Sequence, residues 1–369
     1  MSRVELRERH FDSFFEVPFR VYGERYPFVS QLRGDLQDAL SEKNPLLEVA
    51  DLTYYTALRG GRPVGRIVAH VHRAANERFN ERSASFGFFD CADDVEVGRS
   101  LLSAAEAFGR ARGCDRIRGN MNLTANQEIG VLVDGEERRP YLAQIYNPAY
   151  IARLLEACGY ERTKPMTSFV NAGVAETDPS RMLEDRHRAL LRDPAYRFRP
   201  FALRRFDEEV ESIRQVLNAA MDKNYLFVPM TREEARFQLG PLERVMDPEL
   251  TRIAEHNGSV VGVALGVPDV VPLLQSMKGR LFPIGWWKFL TGRKRIRSAT
   301  IVIILALPEY HSKGVMRVLS SQLIQAARDR GYESIGGTWI GDDNVASLKA
   351  ARALGMKPHH RLFMYEKAL

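Results

Sequence analysis

Cysteine is scarce in this chain. Only Cys91, Cys114 and Cys158 occur in 369 residues, and no two share a paired motif spacing. That excludes a disulfide framework and a cysteine-rich metal site, and it suits a reducing compartment. Long apolar runs are missing too. No stretch reaches the ~18 residues that a membrane-spanning helix requires. The opening residues, MSRVELRERHFDSFFEVPFRVY, are too charged for a secretory signal. Neither sign of charge dominates, since 53 Lys and Arg stand against 47 Asp and Glu for a net of +6. Such a balance suits a phosphorylated cofactor or an anionic surface. No RNA- or DNA-binding signature accompanies it, so nucleic acid is not expected as a partner. His359 and His360 are adjacent. On a regular strand they would point to opposite faces and could not share a metal, so no metal is expected.

What the chain does have is an internal repeat. LTYYTALRGGRPVGRIVAHV, from Leu52, is echoed by LTRIAEHNGSVVGVALGVPD, from Leu250. Each reads as two strands joined by a glycine turn. A second unit follows in each half, beginning at Ala84 and at Ala299. It reads as an apolar strand, a polar turn, an amphipathic helix with a glycine stop, and another strand. A short helix and a last strand close each half. The expected class is α/β, with two tandem mixed-sheet domains and flanking helices. The boundaries are residues 1–174, a charged linker at 175–199 and residues 200–369.

In the second half the turn is LPEYHSKGVMRVL, Leu307 to Leu319. A strand, a glycine turn and a helix start form an anion site, because unpaired N–H groups and the helix dipole both favour a phosphate. With RGYESIGGTWIGDDNVASLKAARALGM and the final strand, this stretch resembles the GNAT acyltransferases. The resemblance implies a CoA pyrophosphate loop, with Leu307, His311, Ser312, Lys313, Gly314, Val315 and Met316 in it and Asn344 beyond the next strand. His311 stands at the family's Gln/Arg position, and Met316 replaces its last small residue. The family's frequent general-acid tyrosine falls at Ala351, which leaves Glu309, Tyr310 and His311 as candidate catalytic residues. Asp134, Glu128, Asp342 and Asp343 are further candidate bases. In the first half Glu96 takes the glycine's place after Asp93 and Asp94, and carboxylates there repel a pyrophosphate. That half is expected to be a degenerate copy that shapes a substrate pocket.

GFFDCADD, GNMNLTANQEIGVLVDG, NPAYIARLLEACGY, KNYLFVPMT and GRLFPIGWWKFL are spread over both halves. They resemble a bacterial double-GNAT family that includes sphingoid-base N-acyltransferases. The resemblance implies an acyl-CoA-dependent N-acyltransferase whose donor is acyl-CoA or acyl carrier protein and whose acceptor is a lipid-like amine. Asn122, Asn126, Tyr146, Asn224 and Tyr225 are the polar residues expected around that acceptor. A small-molecule acetyltransferase and a non-catalytic double-GNAT binder are the alternative readings.

Residues 270–297 are longer than a hairpin needs. They combine Phe282, Trp286, Trp287 and Phe289 with a run of Lys and Arg. Three readings stay open: a plug between the halves, the lining of a lipid tunnel, or an amphipathic segment lying on an anionic membrane. The last would make the protein cytoplasmic and peripheral on the inner membrane.

Overall fold

The computed structural model describes residues 3–283 and 285–369; Met1, Ser2 and Ile284 of the quoted insert lie outside them. The first half runs β1 (Val4–Glu8), α1 (Phe11–Val21), α2 (Arg33–Ala39), β2 (Ala50–Arg59), β3 (Arg62–His72), α3 (Arg73–Phe79), β4 (Ser83–Cys91), α4 (Val95–Arg110), β5 (Arg116–Gly119), β6 (Val131–Asp134), α5 (Tyr150–Ala157) and β7 (Glu161–Asn171). After the connecting helix α6 (Asp185–Arg192) come β8 (Tyr196–Pro200), α7 (Phe206–Met221), α8 (Arg232–Leu239), β9 (Arg252–His256), β10 (Ser259–Pro268), α9 (Val271–Met277), α10 (Gly285–Gly292), β11 (Ser298–Ala306), α11 (Val315–Asp329), β12 (Ser334–Gly341), α12 (Val345–Ala353) and β13 (Lys357–Ala368).

Both glycine turns form hairpins. β2 and β3 close on Arg59 and Arg62, and β9 and β10 close on His256 and Ser259. In the second turn Asn257 and Gly258 take φ of 50° and 81°, as a tight hairpin with matching twist requires. Each half packs its long helix on one sheet face. Leu101, Leu102 and Ala105 of α4 meet the first half's strands, and Val315, Leu319 and Leu323 of α11 meet the second's. Other helices cover the opposite faces: α1 and α2 in the first half, α7 and α8 in the second.

The halves share one sheet, in the order β1-β2-β3-β4-β5-β13-β7-β12-β11-β10-β9-β8, with β6 beside β13. The two closing strands are exchanged. β13, from the end of the chain, pairs with β5 of the first half, and β7 pairs with β12 of the second. Tyr365 of β13 is therefore buried in the first half's core, and Phe169 of β7 in the second's.

Candidate active site

β11 and β12 run parallel over Ser298–Ile301 against Ser334–Gly337, and there the pairing stops. The cause lies on the other edge of β11. Leu265 faces Ile303 and Gly266 faces Ile301, so Val302 is an extra residue. A bulge of this kind bends a strand away from its neighbour. Beyond it, Val302, Ile303, Ile304 and Leu305 are half-exposed along β11, as are Thr338, Trp339 and Ile340 along β12. One polar stitch crosses the opening, from Thr338 Oγ1 to the carbonyl of Val302 at 3.2 Å. The result is a wedge with apolar walls whose backbone amides are left without a strand partner, and such amides suit a developing oxyanion.

The wedge opens toward the loop Leu307–Gly314 and the start of α11. No side chain caps that helix, and Gly314 sits at its N-cap with φ of 86°. Glycine is required there twice over. A Cβ would be in left-handed backbone and would also meet the His187 ring. His187, on α6, backs the loop from behind. Its Nδ1 accepts from the Glu184 amide at 3.0 Å, and burial lowers its pKa. Ser312 and Lys313 are exposed at the loop rim, with the Lys313 ammonium 4.3 Å from the Tyr310 ring centre. Leu307, Val315 and Met316 pack inward beneath the loop. Asn344 is exposed and caps α12 through the Ser347 amide at 3.0 Å.

The three candidate catalytic residues separate. Tyr310 is buried, and its hydroxyl bonds His256 Nδ1 at 2.8 Å, which ties the loop to β9. His311 Nε2 donates to the Ala306 carbonyl at 2.9 Å, which pins the ring to the end of β11. Glu309 is exposed on the outer loop. Among the other carboxylates, Asp342 is held by Arg361 and Asp343 by Lys164. Both pKa values are lowered by those hydrogen bonds, which makes them poor bases. Asp134 is exposed at the end of β6.

The corresponding opening in the first half is filled. β4 and β5 pair over Ser83–Ser85 against Arg116–Arg118 and then part. Asn120 Oδ1 accepts from the Phe89 amide at 3.2 Å, and Asn122 Oδ1 accepts from that of Phe88 at 2.7 Å. The Met121 amide bonds the Phe86 carbonyl at 2.8 Å. The helix start behind it is capped from within. The Asp94 carboxylate accepts from the amides of Glu96 and Val97, and Arg59 pairs with both Asp94 and Glu96. That helix start is therefore already capped, with two carboxylates beside it.

Two cavities flank these strands. Asn122 and Tyr146 line the larger, which also holds Glu128 and is bordered by Val271 and Leu274 of α9. Asn126 lines the other, beside Leu226 and Val228. Asn224 and Tyr225 line neither. Asn224 bonds Met221 in the turn after α7, and Tyr225 lies 5.0 Å from the Lys164 ammonium between the halves. The sequence did not single out Tyr141, Leu142 and Gln144, which join the two sites. Gln144 donates to the Gly337 carbonyl at 2.7 Å, Tyr141 bonds Ser334 at 3.0 Å, and the Leu142 amide bonds Asp269 at 3.1 Å. The first half thereby braces the apex of the second half's wedge.

The insert forms α9 and α10. Phe282, Trp286 and Trp287 are exposed by 80%, 45% and 58%. The plug reading therefore fails for the tryptophans, which touch each other edge to face at 5.8 Å and not a protein core. Phe289 turns inward and packs with Leu274 and Met277. His359 and His360 also depart from expectation. The register slips between Pro358 and Arg361, and the rings lie 4.2 Å apart, donating to the carbonyls of Arg139 and Arg138. Among the described residues no group of three His, Cys, Asp or Glu side chains could hold a metal, and no helix is long and apolar enough to cross a membrane.

Comparison with known proteins agrees with this geometry. Residues 210–356, which contain the wedge and its loop, match the acetyltransferase (GNAT) family. The chain is similar to a protein named bacterial ceramide synthase from Caulobacter vibrioides, at 29% identity over 96% of this chain and 94% of that one. It is also similar to the protein YghO of Escherichia coli, at 26% identity over 100% of this chain and 95% of the other. Among solved structures, a tandem GNAT protein from the clavulanic acid biosynthesis pathway superposes with a TM-score of 0.61. It is 14% identical, covering 99% of this chain and 98% of that one, and it shares the fold.

Proposed function

We propose that this chain, an N-acyltransferase of the GNAT family, moves a long acyl group from a CoA thioester to the amine of a lipid-like acceptor such as a sphingoid base. The observation that carries the reading is the wedge, which opens onto an uncapped helix start and is walled by half-exposed Val302, Ile303, Leu305 and Ile340. The pyrophosphate would lie on the amides at the start of α11 near Ser312 and Lys313, and the thioester between the strands. Transfer needs the amine as a free base, the carbonyl carbon aligned to it, and donors for the tetrahedral oxygen. Amides of the parted strands supply the donors. The amine attacks the thioester carbon, the C–S bond breaks, and CoA leaves as the thiol once protonated.

The insert supports a lipid acceptor. Phe282, Trp286, Trp287 and Leu290 are exposed, while Arg293, Lys294, Arg295 and Arg297 beside them make no ion pair among the described residues. Aromatic rings with an adjoining basic rim suit the surface of an anionic bilayer, at about 1 kcal/mol per cation. The protein would then work as a peripheral enzyme on such a surface.

The test is acyl transfer with acyl-CoAs from C2 to C18, with and without sphinganine, following CoA release and the amide product by mass spectrometry. Long-chain amide formation supports the reading. Turnover with acetyl-CoA alone on a soluble amine contradicts it.

A further inference from the structure

The larger cavity has a chemical polarity of its own. At one end lies Glu128. Its Oε2 accepts from Asn122 Nδ2 at 2.8 Å; Oε1 has no hydrogen-bond partner, and the carboxylate makes no ion pair among the described residues. The neighbouring charges are already committed. Asp90 accepts from Tyr22 at 2.6 Å and from Arg66 at 2.7 Å, and Arg66 spends its charge there. Tyr146 donates to the Glu136 carbonyl at 2.7 Å. Among the described residues, the unspent charge facing the cavity is therefore negative. Burial raises the Glu128 pKa, against smaller opposing effects of the Asn122 hydrogen bond and the Arg66 charge.

Phe28, Val29, Leu36, Leu142, Val271 and Leu274 supply apolar lining. Val271 and Leu274 belong to α9, and α9 packs against α10, the helix that exposes the tryptophans.

We propose that this first-half cavity binds a primary ammonium carrying an apolar chain, with Glu128 as the counter-ion and the chain running toward α9. The site would hold the acceptor of the reaction proposed above and rests on that reading for its purpose. Its binding does not require the acyl-CoA wedge, so the two can fail separately.

The experiment is equilibrium binding of dodecylamine and of dodecanol, a neutral mimic, to the whole chain without CoA. Dodecylamine should bind at least about tenfold more tightly than dodecanol, the scale of one charged hydrogen bond. Glu128→Gln should abolish that preference and should melt no lower than wild type, because a buried amide costs less than an unpaired carboxylate. Leu274→Trp should weaken dodecylamine binding by filling the tail path, and it tests the site independently if the first variant does not fold. Equal affinity for the two ligands, or unchanged dodecylamine binding in both variants, would overturn the proposal. In that case long-chain acyl-CoA binding and amide formation would still decide the acyltransferase reading.

Discussion

The two halves begin from the same plan and end with opposite electrostatics. Each has a parallel strand pair that separates and a helix that starts just beyond. In the second half the gap is open, the helix is uncapped, and Gly314 and Lys313 stand at its entrance. In the first half Asn120 and Asn122 occupy the gap, and Asp94 and Glu96 stand where the phosphate would go. The difference shows how few residues separate an anion site from its negation. A capping aspartate satisfies the same orphan amides that a pyrophosphate would, so the helix start can serve one or the other.

The halves are nonetheless inseparable, and the largest expected effect tests that. Tyr365 comes from the last strand but is fully buried in the first half's core. Tyr365→Ala should cost about 3–5 kcal/mol, the range for removing a large buried ring. Denaturant unfolding would measure it. Residues 1–174 expressed alone should fail to fold; a folded fragment would show that the exchanged strand is dispensable.

Next comes the loop. Ser312→Asp combined with Lys313→Glu places acidic charge at the α11 start without touching buried packing. Acyl-CoA affinity should fall by at least ~100-fold, since each charge at pyrophosphate contact distance contributes 1 kcal/mol or more. Calorimetry reads this directly. Gly314→Asp is the less clean variant, because the His187 ring and the positive φ would strain it whether or not CoA binds there.

A smaller effect lies at the brace between the halves. Gln144→Ala frees the Gly337 carbonyl at the wedge apex. It should lower kcat/KM about tenfold while costing about 2 kcal/mol of stability, the net worth of its hydrogen bonds to the Gly337 carbonyl and the Tyr141 amide. Unchanged kinetics would mean that the wedge holds its shape without the first half.

The mildest change is Asp94→Ala, which removes the first half's internal cap. It should cost about 1 kcal/mol of stability, as loss of a helix cap does, and should create no second CoA site. The Asn120 and Asn122 plugs would still fill the gap. A second equivalent of bound CoA in this variant would show that the cap alone had excluded it.

Local features of this architecture were legible in the sequence. Both glycine hairpins, both long helices and the loop at Gly314 follow from short-range periodicity and turn chemistry. The strand exchange did not follow, because β7 and β13 are equally apolar closing strands and nothing in either names its neighbour. The close approach of His359 and His360 was hidden by the register slip between Pro358 and Arg361, since alternation holds only on a regular strand. Tyr310 and His311 carry the right chemistry at the right place in the chain, but hydrogen bonds to His256 and Ala306 commit them elsewhere. Glu128 was visible as an acid in a polar segment. Its want of a cationic partner is a property of the assembled cavity and could not be read from spacing.

The most direct test of the contrast between the halves is the stoichiometry of palmitoyl-CoA binding to the intact chain, by native mass spectrometry. The account predicts one equivalent in the wild type and none in the Ser312→Asp, Lys313→Glu variant. Two equivalents, or one that survives those substitutions, would contradict it.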